Sequence, residues 1–411
     1  MPEKVLVIAV KMPEDNDERF NSSLDELKSL SHTAGATVEK AMIQNRKRLH
    51  PAYYIGEGKM EEIKEVAEDL EADLIISNDE LSAGQLRNLT DRIGVHVIDR
   101  SQLILDIFAQ RARTKEGKLQ VELAQLEYTL PRLRGRGEEM SRLGAGIGTR
   151  GPGETKLETD QRHIRKRIDD IKRQLNQVVK QREQYRKRRK LNDAFQIAIV
   201  GYTNAGKSTL FNRLAKSDAQ VENQLFATLD PLTRQIQLPF GFQTLITDTV
   251  GFIQDLPTSL IAAFKSTLEE VTEADFILHV VDAANPDLEQ HQQTVDRLLT
   301  DLGANTIPKL VVYNKKDRLE TDFIPMQHPN ILISATEQND IGRVLEKIED
   351  TLKNEWDAYT VSIAPDEGKL LHRLEKETIV TYRSFQEESR KYSVAGYIRQ
   401  HHPLRGLVKE N

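Results

Sequence analysis

The sequence predicts a multidomain α/β protein built from four successive parts. At 411 residues, the chain exceeds the roughly 250 residues that one core usually fills. Apolar β-branched runs alternate with helical segments in its first quarter, and two heptad helices interrupt this alternation before it resumes. The predicted parts are an N-terminal parallel α/β domain at 1–110, an antiparallel coiled-coil helical hairpin at 111–192, a larger α/β domain at 193–355 and a small α+β domain at 356–411.

The composition excludes several classes of protein. Charged residues make up 30% of the chain, and no apolar run approaches the ~20 residues that a membrane span needs. The absence of cysteine rules out disulfides, thiolate metal sites and cysteine nucleophiles. The first apolar run is followed at once by acids, which is typical of a strand and not of a signal peptide. We therefore expect a cytoplasmic protein. The net charge of −6 argues weakly against bulk nucleic-acid binding, but a total can hide a local basic patch.

The N-terminal part shows the pattern of a parallel sheet covered by helices. VLVIAV at 5–10, ADLIISN at 72–78 and GVHVID at 94–99 are apolar runs of strand length, and helical segments lie between them. A structural α/β domain is the simpler interpretation of this part, because no catalytic pattern stands out in it.

The next part carries two heptad patterns. In the first helix, leucines at 119, 123, 126 and 130 are spaced by four, three and four residues. The second helix repeats the seam at Leu157, Ile164, Ile168, Ile171, Leu175 and Val178. Two such helices joined by one loop predict an antiparallel coiled-coil hairpin.

The second heptad helix and the loop before it are strongly basic. Between 162 and 190 only Asp169, Asp170 and Glu183 oppose the many lysines and arginines, whereas a solubilising face normally mixes signs. The loop within SRLGAGIGTRGPGETKLETD (141–160) combines glycines, which allow close backbone approach, with arginines, which bind phosphate. A solvated helix face and a disordered linker are the alternatives to a nucleic-acid contact. The predicted contact residues are Arg142, Gly144, Gly146, Gly148, Arg150, Arg165 and Arg167.

A phosphate-binding loop follows the strand FQIAIV. GYTNAGKST matches G-x-x-x-x-G-K-[ST] between a strand and a helix, which is the context that this motif requires. Its backbone amides wrap phosphates, Lys207 neutralises the β- and γ-phosphates, and the Ser208 hydroxyl binds Mg²⁺. The predicted nucleotide-binding residues of this loop are Gly201, Tyr202, Thr203, Asn204, Ala205, Gly206, Lys207, Ser208 and Thr209.

Three later motifs, DTVG, NKKD and Ser334-Ala335-Thr336, each follow a strand, and the last two identify the base as guanine. In DTVG, Asp248 is placed to hold Mg²⁺ through water and Gly251 to offer its amide to the γ-phosphate. In NKKD, the Asp317 carboxylate can accept from guanine N1–H and the 2-amino group, a donor pair that adenine lacks. A P-loop GTPase domain at 193–355 is thus predicted, and its base-side residues are Asn314, Lys315, Asp317, Ser334, Ala335 and Thr336.

The switch between these motifs lacks a familiar catalytic residue. Thr228 in QLFATLDPLTRQ is the predicted Mg²⁺-sensing threonine, and Thr233 is the competing candidate. Phe252 follows Gly251 where Ras-like enzymes carry the glutamine that orients water. With Lys207, Thr228 and Gly251 as the catalytic set, slow intrinsic hydrolysis is expected. A partner that completes the catalytic site is the favoured explanation, and Gln254 in place of the missing glutamine is the alternative.

Four segments resemble the HflX family of ribosome-associated GTPases, within the Obg–HflX superclass. They are YIGEGKMEEIKE, EGKLQVELAQLEYTLPRL, the glycine-rich stretch at 141–160, and LFATLDP, so that the resemblance covers nearly the whole chain. The resemblance implies that the N-terminal domain and hairpin face the large (50S) subunit and that the tip contacts ribosomal RNA near the peptidyl-transferase centre. It also implies that the GTP-bound protein splits stalled or hibernating 70S ribosomes, notably under heat stress, and that ribosomes stimulate hydrolysis.

The resemblance carries further expectations. Asn204 matches an asparagine that binds K⁺ in potassium-dependent relatives, although an asparagine in a P-loop is more often a backbone brace. Some relatives are reported to hydrolyse ATP, for which GEGK at 56–59 is weak support here. A large-subunit assembly GTPase and a regulatory switch with a protein effector are the open alternatives. We expect a monomer, and we expect His401 and His402 to be exposed tail residues.

Overall fold

The computed structural model describes residues 2–133, 156–191, 194–216, 225–254 and 265–409. The chain forms two compact bodies. The described residues of 1–180, 224–229 and 254–265 make up the first, and those of 181–223, 230–253 and 266–411 make up the second. The predicted fold class, a multidomain α/β protein, is confirmed by the sheets and helices of these bodies.

The first body contains a parallel four-stranded sheet in the order β2-β1-β3-β4. Strand β1 is central and buried along its apolar run, as a strand covered on both faces requires. The elements are β1 (Lys4–Lys11), α1 (Asp17–Thr33), β2 (Thr37–Asn45), α2 (Glu57–Asp69), β3 (Leu74–Ser77), α3 (Ala83–Ile93), β4 (His96–Asp99) and α4 (Arg100–Arg111).

Two helices represent the predicted hairpin, α5 (Lys115–Arg132) and α6 (Lys156–Leu191). Salt bridges join Glu122 to Arg167 (2.6 Å) and Glu127 to Lys172 (2.8 Å). From the first pair to the second, the residue number rises by five on both helices. In a regular antiparallel coiled coil, it would rise on one helix and fall on the other. These contacts therefore do not show the predicted antiparallel heptad packing. The sequence pattern misses that α5 also packs on α4 and is much shorter than α6.

The second body is built on a six-stranded sheet in the order β10-β9-β8-β5-β7-β6, in which only β6 is antiparallel to its neighbour. A large apolar core lies between this sheet and its helices. The elements are β5 (Gln196–Gly201), α7 (Lys207–Leu214), β6 (Leu232–Gln237), β7 (Gln243–Asp248), α8 (Lys265–Thr272), β8 (Phe276–Asp282), α9 (Leu288–Asp301), β9 (Lys309–Asn314), β10 (Asn330–Leu332) and α10 (Gln338–Glu355).

The C-terminal part of the second body is an antiparallel three-stranded sheet in the order β11-β13-β12. Its histidine prediction is half wrong: His401 is exposed, but His402 is buried. The His402 Nδ1 accepts from the Leu404 amide at 3.1 Å, so this side chain closes a turn, a role that no short pattern indicates. The elements are β11 (Asp357–Ile363), α11 (Gly368–Glu377), β12 (Ile379–Gln386), β13 (Lys391–Ile398) and α12 (Arg405–Lys409).

Candidate nucleotide-binding site

The P-loop joins β5 to the N-terminus of α7, at the carboxyl edge of the six-stranded sheet. Gly206 precedes the helix with a φ of 96°, a left-handed conformation that favours glycine. A Cβ there would overlap the side-chain amide of Asn314, and a Cβ at Gly201 would overlap the Val280 carbonyl. Both motif glycines are therefore required by close packing, and the amides that follow are free to turn around a phosphate.

Lys207, the P-loop lysine, is buried at the start of α7. Its Nζ donates to the carbonyl of Tyr202 at 2.7 Å. Burial lowers the pKa of Lys207 to about 8, the Asp248 carboxylate opposes this shift, and Lys315 adds to it. Bound phosphates would favour the charged form, because an opposite charge stabilises an ammonium.

The DTVG segment lies against the P-loop. Asp248 ends β7, is buried, and pairs in the sheet with Ile199 of β5. A Cβ at Gly251 would come within 2.9 Å of the Lys207 Nζ, so this glycine allows the two motifs to touch. The structure therefore brings Asp248, Gly251 and Lys207 together at one sheet edge.

Phe252 is a structural residue of the same edge. Its amide donates to the Gly201 carbonyl at 3.1 Å, and its carbonyl accepts from the Thr203 amide at 2.8 Å. The Phe252 side chain is buried in the body. The residue after DTVG thus braces the P-loop through its backbone, and its side chain is not available to orient water.

The base-side motifs are linked through Asn314 at the end of β9. Its Nδ2 donates to the Ala205 carbonyl at 2.9 Å, and its Oδ1 accepts from the Ala335 amide at 2.8 Å. The Ser334 hydroxyl donates to Asp317 Oδ1 at 2.5 Å. One buried amide therefore joins the P-loop to both guanine motifs and holds the base-side loops in a fixed position.

Several supporting residues escape the sequence motifs. Asp282 at the end of β8 pairs with the Lys315 ammonium at 2.7 Å. The buried Asp340 accepts from the Ser334 amide at 2.8 Å and pairs with Lys316 at 2.6 Å. Asp282 has a detectable signal, since it ends an apolar strand just as Asp248 does. Asp340 has none, because it lies within an ordinary helix start.

His291 is a further residue that the sequence motifs do not indicate, and it packs against the P-loop residue Tyr202. The rings of Tyr202 and His291 stack with centroids 3.6 Å apart and planes 8° apart. Burial lowers the pKa of His291 to about 4, so the ring is neutral at physiological pH. The stack braces the first residues of the loop from α9, about ninety residues further along the chain, which no local pattern can indicate.

The two candidate switch threonines occupy different surroundings. Thr228 lies in the segment 225–229, which belongs to the first body. There the Leu225 amide donates to Thr33 Oγ1 at 3.4 Å, and Phe226 packs edge-on to Phe108 with centroids 4.6 Å apart. Thr233 lies in β6, and its hydroxyl bonds to that of Thr247 at 2.9 Å. The Thr233 hydroxyl is thus engaged between strands β6 and β7, and Thr228 stays the predicted switch residue.

The predicted RNA-contact residues divide into two groups. Arg142, Gly144, Gly146, Gly148 and Arg150 lie outside the described residues. Arg165 and Arg167 are exposed on α6, where Arg165 bonds Gln161 and Arg167 binds the Glu122 carboxylate through two nitrogens. The described part of the predicted surface is thus exposed and cationic, with Arg167 already paired.

None of the described helices combines the length and apolarity needed to cross a membrane. Within the same described ranges, no three histidine, aspartate or glutamate side chains gather in a geometry suited to a metal ion. A Mg²⁺ site of the predicted kind would not form such a cluster, because hydroxyls, water and phosphate supply most of its oxygens.

Comparison with protein families gives three successive matches. Residues 21–109 match a family described as GTP-binding GTPase N-terminal, and residues 111–189 match one described as GTP-binding GTPase Middle Region. Residues 196–315 match a family described as 50S ribosome-binding GTPase. The matches together run almost without a break from the first helix to the NKKD motif.

Individual proteins extend this similarity over nearly the whole chain. GTPase HflX of Alkalihalophilus pseudofirmus is 51% identical over 409 residues, which cover 99% of this chain and 96% of that protein. GTPase HflX of Escherichia coli is 43% identical over 378 residues, or 90% of this chain and 88% of that protein. A crystal structure of a GTP-binding protein from Sulfolobus solfataricus with GDP is 24% identical, has a TM-score of 0.44, and covers 85% of this chain and 99% of that one.

Proposed function

Because the chain belongs to the HflX family of GTPases and hydrolyses GTP, we propose that it acts on the 50S ribosomal subunit and splits stalled or hibernating 70S ribosomes under stress. It works in this proposal as a cytoplasmic monomer. The observation that carries the nucleotide part is the Asn314 bridge, which joins the phosphate loop to both base-side loops. The ribosomal part rests on the basic helix α6 and on the family match.

Guanine is recognised by Asp317, whose carboxylate accepts from the N1–H and 2-amino donors. The segment Ser334-Ala335-Thr336 is assigned the backbone amide that meets the O6 oxygen, and Lys315 lies along the base while paired to Asp282. The Asp317–Ser334 bond aligns the carboxylate in advance, so that less ordering remains to be done on binding. We assign the remaining P-loop residues to the phosphates.

The residues fit Mg²⁺, because they offer hard oxygen donors. The residues that would hold the ion are Ser208 in the first turn of α7, through its hydroxyl, and Asp248, through water, and Thr228 would sense the ion in the GTP state. When bound, Mg²⁺ offsets the charge that develops on the phosphates. K⁺ at Asn204 is a further part of the proposal and rests on the match of this residue to the asparagine of potassium-dependent relatives; the side chain is exposed, with a φ of 61°.

Hydrolysis by the isolated protein should be slow. Phe252 is buried and cannot position water, and Gln254 is buried as well. The proposed cycle therefore leaves Lys207 and the Gly251 amide to stabilise the phosphates, and the ribosome completes the site. This dependence ties hydrolysis to arrival at the partner, as a switch requires.

The deciding experiment compares GTP turnover by the protein alone, with 50S subunits, with 30S subunits and with 70S ribosomes. Large stimulation by 50S or 70S particles, lost when residues 144–153 are deleted, supports the proposal. Stimulation by immature 50S particles alone would favour an assembly role instead. No stimulation by any particle, with salt-insensitive binding to a protein, would favour the effector alternative, since phosphate contacts weaken as salt rises.

Potassium dependence is tested separately. Turnover in K⁺ and in Na⁺ at equal ionic strength should differ by roughly tenfold if a cation at Asn204 stabilises transition-state charge. Asn204→Ala should remove the difference. Equal rates for the unaltered protein would contradict the K⁺ assignment and leave Asn204 as a backbone brace.

A further inference from the structure

A cleft in the second body lies away from the nucleotide site. It has a volume of about 370 Å³ and is bounded by the turn between β6 and β7 on one side and by α11 and β12 on the other. The turn precedes β7, whose far end carries Asp248, so a strand of six residues, roughly 20 Å long, separates the cleft from the phosphate edge. A Cβ at Gly241 of the turn would lie 3.3 Å from the Glu375 carbonyl, so the two walls approach each other closely there.

Two exposed aromatic rings line this cleft. Phe240 on the turn is 44% exposed and Tyr382 on β12 is 56% exposed, whereas many other aromatic side chains of this body are buried. The Phe240 amide donates to the Glu349 carboxylate at 3.0 Å, and the Lys353 ammonium lies 4.5 Å from its ring centroid. Tyr382 follows an irregularity in the β12–β13 register. Phe240 is therefore held in place, and both rings present apolar surface to solvent within one cavity.

The rest of the lining is mainly polar, and two of its side chains, Lys376 and Arg383, are cationic. Gln237 and Gln243 offer amide groups, and both are held by neighbours, at the Gly241 carbonyl (3.2 Å) and the Gln235 amide (2.9 Å). Lys376 is exposed at the rim. Arg383 also lines the cleft and is paired with Glu375 at 2.6 Å, the one carboxylate of the lining.

We propose that this cleft binds an unpaired nucleotide of single-stranded RNA. Phe240 and Tyr382 stack against the base, the two glutamines face its edges, and Lys376 and Arg383 contact its phosphates. A cavity of this size suits one nucleotide, and stacking rings within a basic groove are the general means of holding single strands. An apolar peptide would offer no partner to the Lys376 ammonium, so the polar lining favours RNA.

The proposal extends the RNA-binding role to a second surface and rests on the proposed function only for the source of the RNA. Affinity is measured by fluorescence anisotropy with a labelled single-stranded oligouridine. The double variant Phe240→Ala/Tyr382→Ala should weaken binding roughly tenfold or more at every salt concentration, because each stacked base contributes on this scale. Lys376→Ala should instead reduce the slope of log affinity against log salt by about one.

A matched control is available on the same strand. Phe385 is 48% exposed but packs on Tyr392 with centroids 5.1 Å apart and does not line the cleft. Phe385→Ala should leave the RNA affinity unchanged, and equal thermal melting of all variants shows that they fold. Photocrosslinking with 4-thiouridine-substituted RNA should attach the probe at Phe240 or Tyr382 in the unaltered protein.

Three results would overturn the proposal. The first is crosslinks confined to α6 together with an unchanged RNA affinity of the double variant, and the second is equal binding of free uridine monophosphate and the oligonucleotide. The third is a double variant that keeps its RNA affinity but loses binding to 50S particles. The last would point to a protein partner for the cleft. Failure of ribosomes to stimulate GTP turnover would refute the proposed function, yet it would leave the crosslinks at the cleft intact, so the two failures are distinguishable.

Discussion

Two helices of this protein follow parallel strands and start with similar sequences, yet only one of them is preceded by a phosphate-binding loop. The stretch GEGK spans the start of α2 in the first body, and the stretch AGKST spans the start of α7 in the second. Gly56 has an ordinary φ of −80° and lies against the Arg46 side chain, and Lys59 pairs with Glu62 at 2.8 Å on the surface. Gly206 is left-handed, and Lys207 is buried beneath the loop. A phosphate site therefore depends on the backbone path more than on a glycine and a lysine.

The carboxyl edges of the two sheets differ in the same way. At the edge of the first sheet, the buried Asp99 accepts from the amides of Leu81 and Gln102 and from Arg132. Its polar groups are thus consumed by internal structure. At the edge of the second sheet, Asp248 and Lys207 lie beside a loop that can close around a ligand. A parallel sheet provides the position for a site, and the loops at its edge decide whether a ligand enters.

The largest effect is expected from a substitution at Gly206, where the two helix starts differ in backbone conformation. Gly206→Ala places a Cβ against Asn314 at a left-handed position, and GTP turnover should fall by about 10²-fold or more, with GDP affinity falling too. Gly56→Ala is the matched control, because its Cβ meets only the side-chain ends of Arg46 and Gln44, which can move aside. Turnover and fluorescent-nucleotide binding are measured for both. Comparable losses in the two variants would mean that the first body shares the nucleotide site.

The next effect concerns the base. Asp317→Asn replaces an acceptor with an amide that can donate to a carbonyl at C2 of the base, so preference should move from guanine to xanthine nucleotides by roughly 10²-fold or more. Competition between GDP and xanthosine diphosphate measures the preference. Asp322→Asn, on the exposed loop that follows, is the control and should change nothing. Retained guanine preference in Asp317→Asn would remove Asp317 from the base site.

The sequence predicts the nucleotide site well because its motifs act through short-range geometry. The P-loop, DTVG and NKKD each follow a strand directly, so parallel strands bring them to one edge. The relation of α5 to α6 and the burial of His402 depend on packing partners that lie far along the chain. Residues such as Asp340 and His291 support the site from helices whose local sequence is ordinary, and only the fold reveals them.

The burial of Lys207 gives a pH-dependent effect of intermediate size. With its pKa lowered to about 8 by burial, Lys207 loses its proton above this pH, although phosphate binding needs the charged form. GDP affinity should therefore fall by up to tenfold per pH unit above about pH 8, as titration between pH 7 and 9 would reveal. Lys207→Arg keeps its charge and should show a nearly flat profile. A flat profile for the unaltered protein would contradict the lowered pKa.

The same shift has a defined sign for stability. The unfolded lysine keeps its proton up to its ordinary pKa of about 10.5, so between about pH 8 and 10.5 the unfolded state binds more protons than the folded one. The contribution of this group to the free energy of unfolding therefore rises with pH across that window. Lys207→Met should remove this contribution, as denaturant unfolding of the nucleotide-free protein at several pH values would show.

The smallest expected effect tests whether the first body, whose described residues form no phosphate loop, restrains a switch residue. The segment 225–229 carries Thr228, and its Phe226 packs edge-on to the buried Phe108. Phe108→Leu removes the aromatic pair but keeps an apolar contact, so amide exchange across 225–229 should quicken roughly fivefold, in line with about 1 kcal/mol for such a pair. Phe20→Leu, at another buried position of this body that is not paired with Phe226, is the control. Equal exchange in 225–229 for all three proteins would mean that the Phe108 contact does not restrain the switch segment. Faster exchange in Phe108→Leu alone would give the first body a role in the nucleotide cycle through the Thr228 segment, without any phosphate contact of its own.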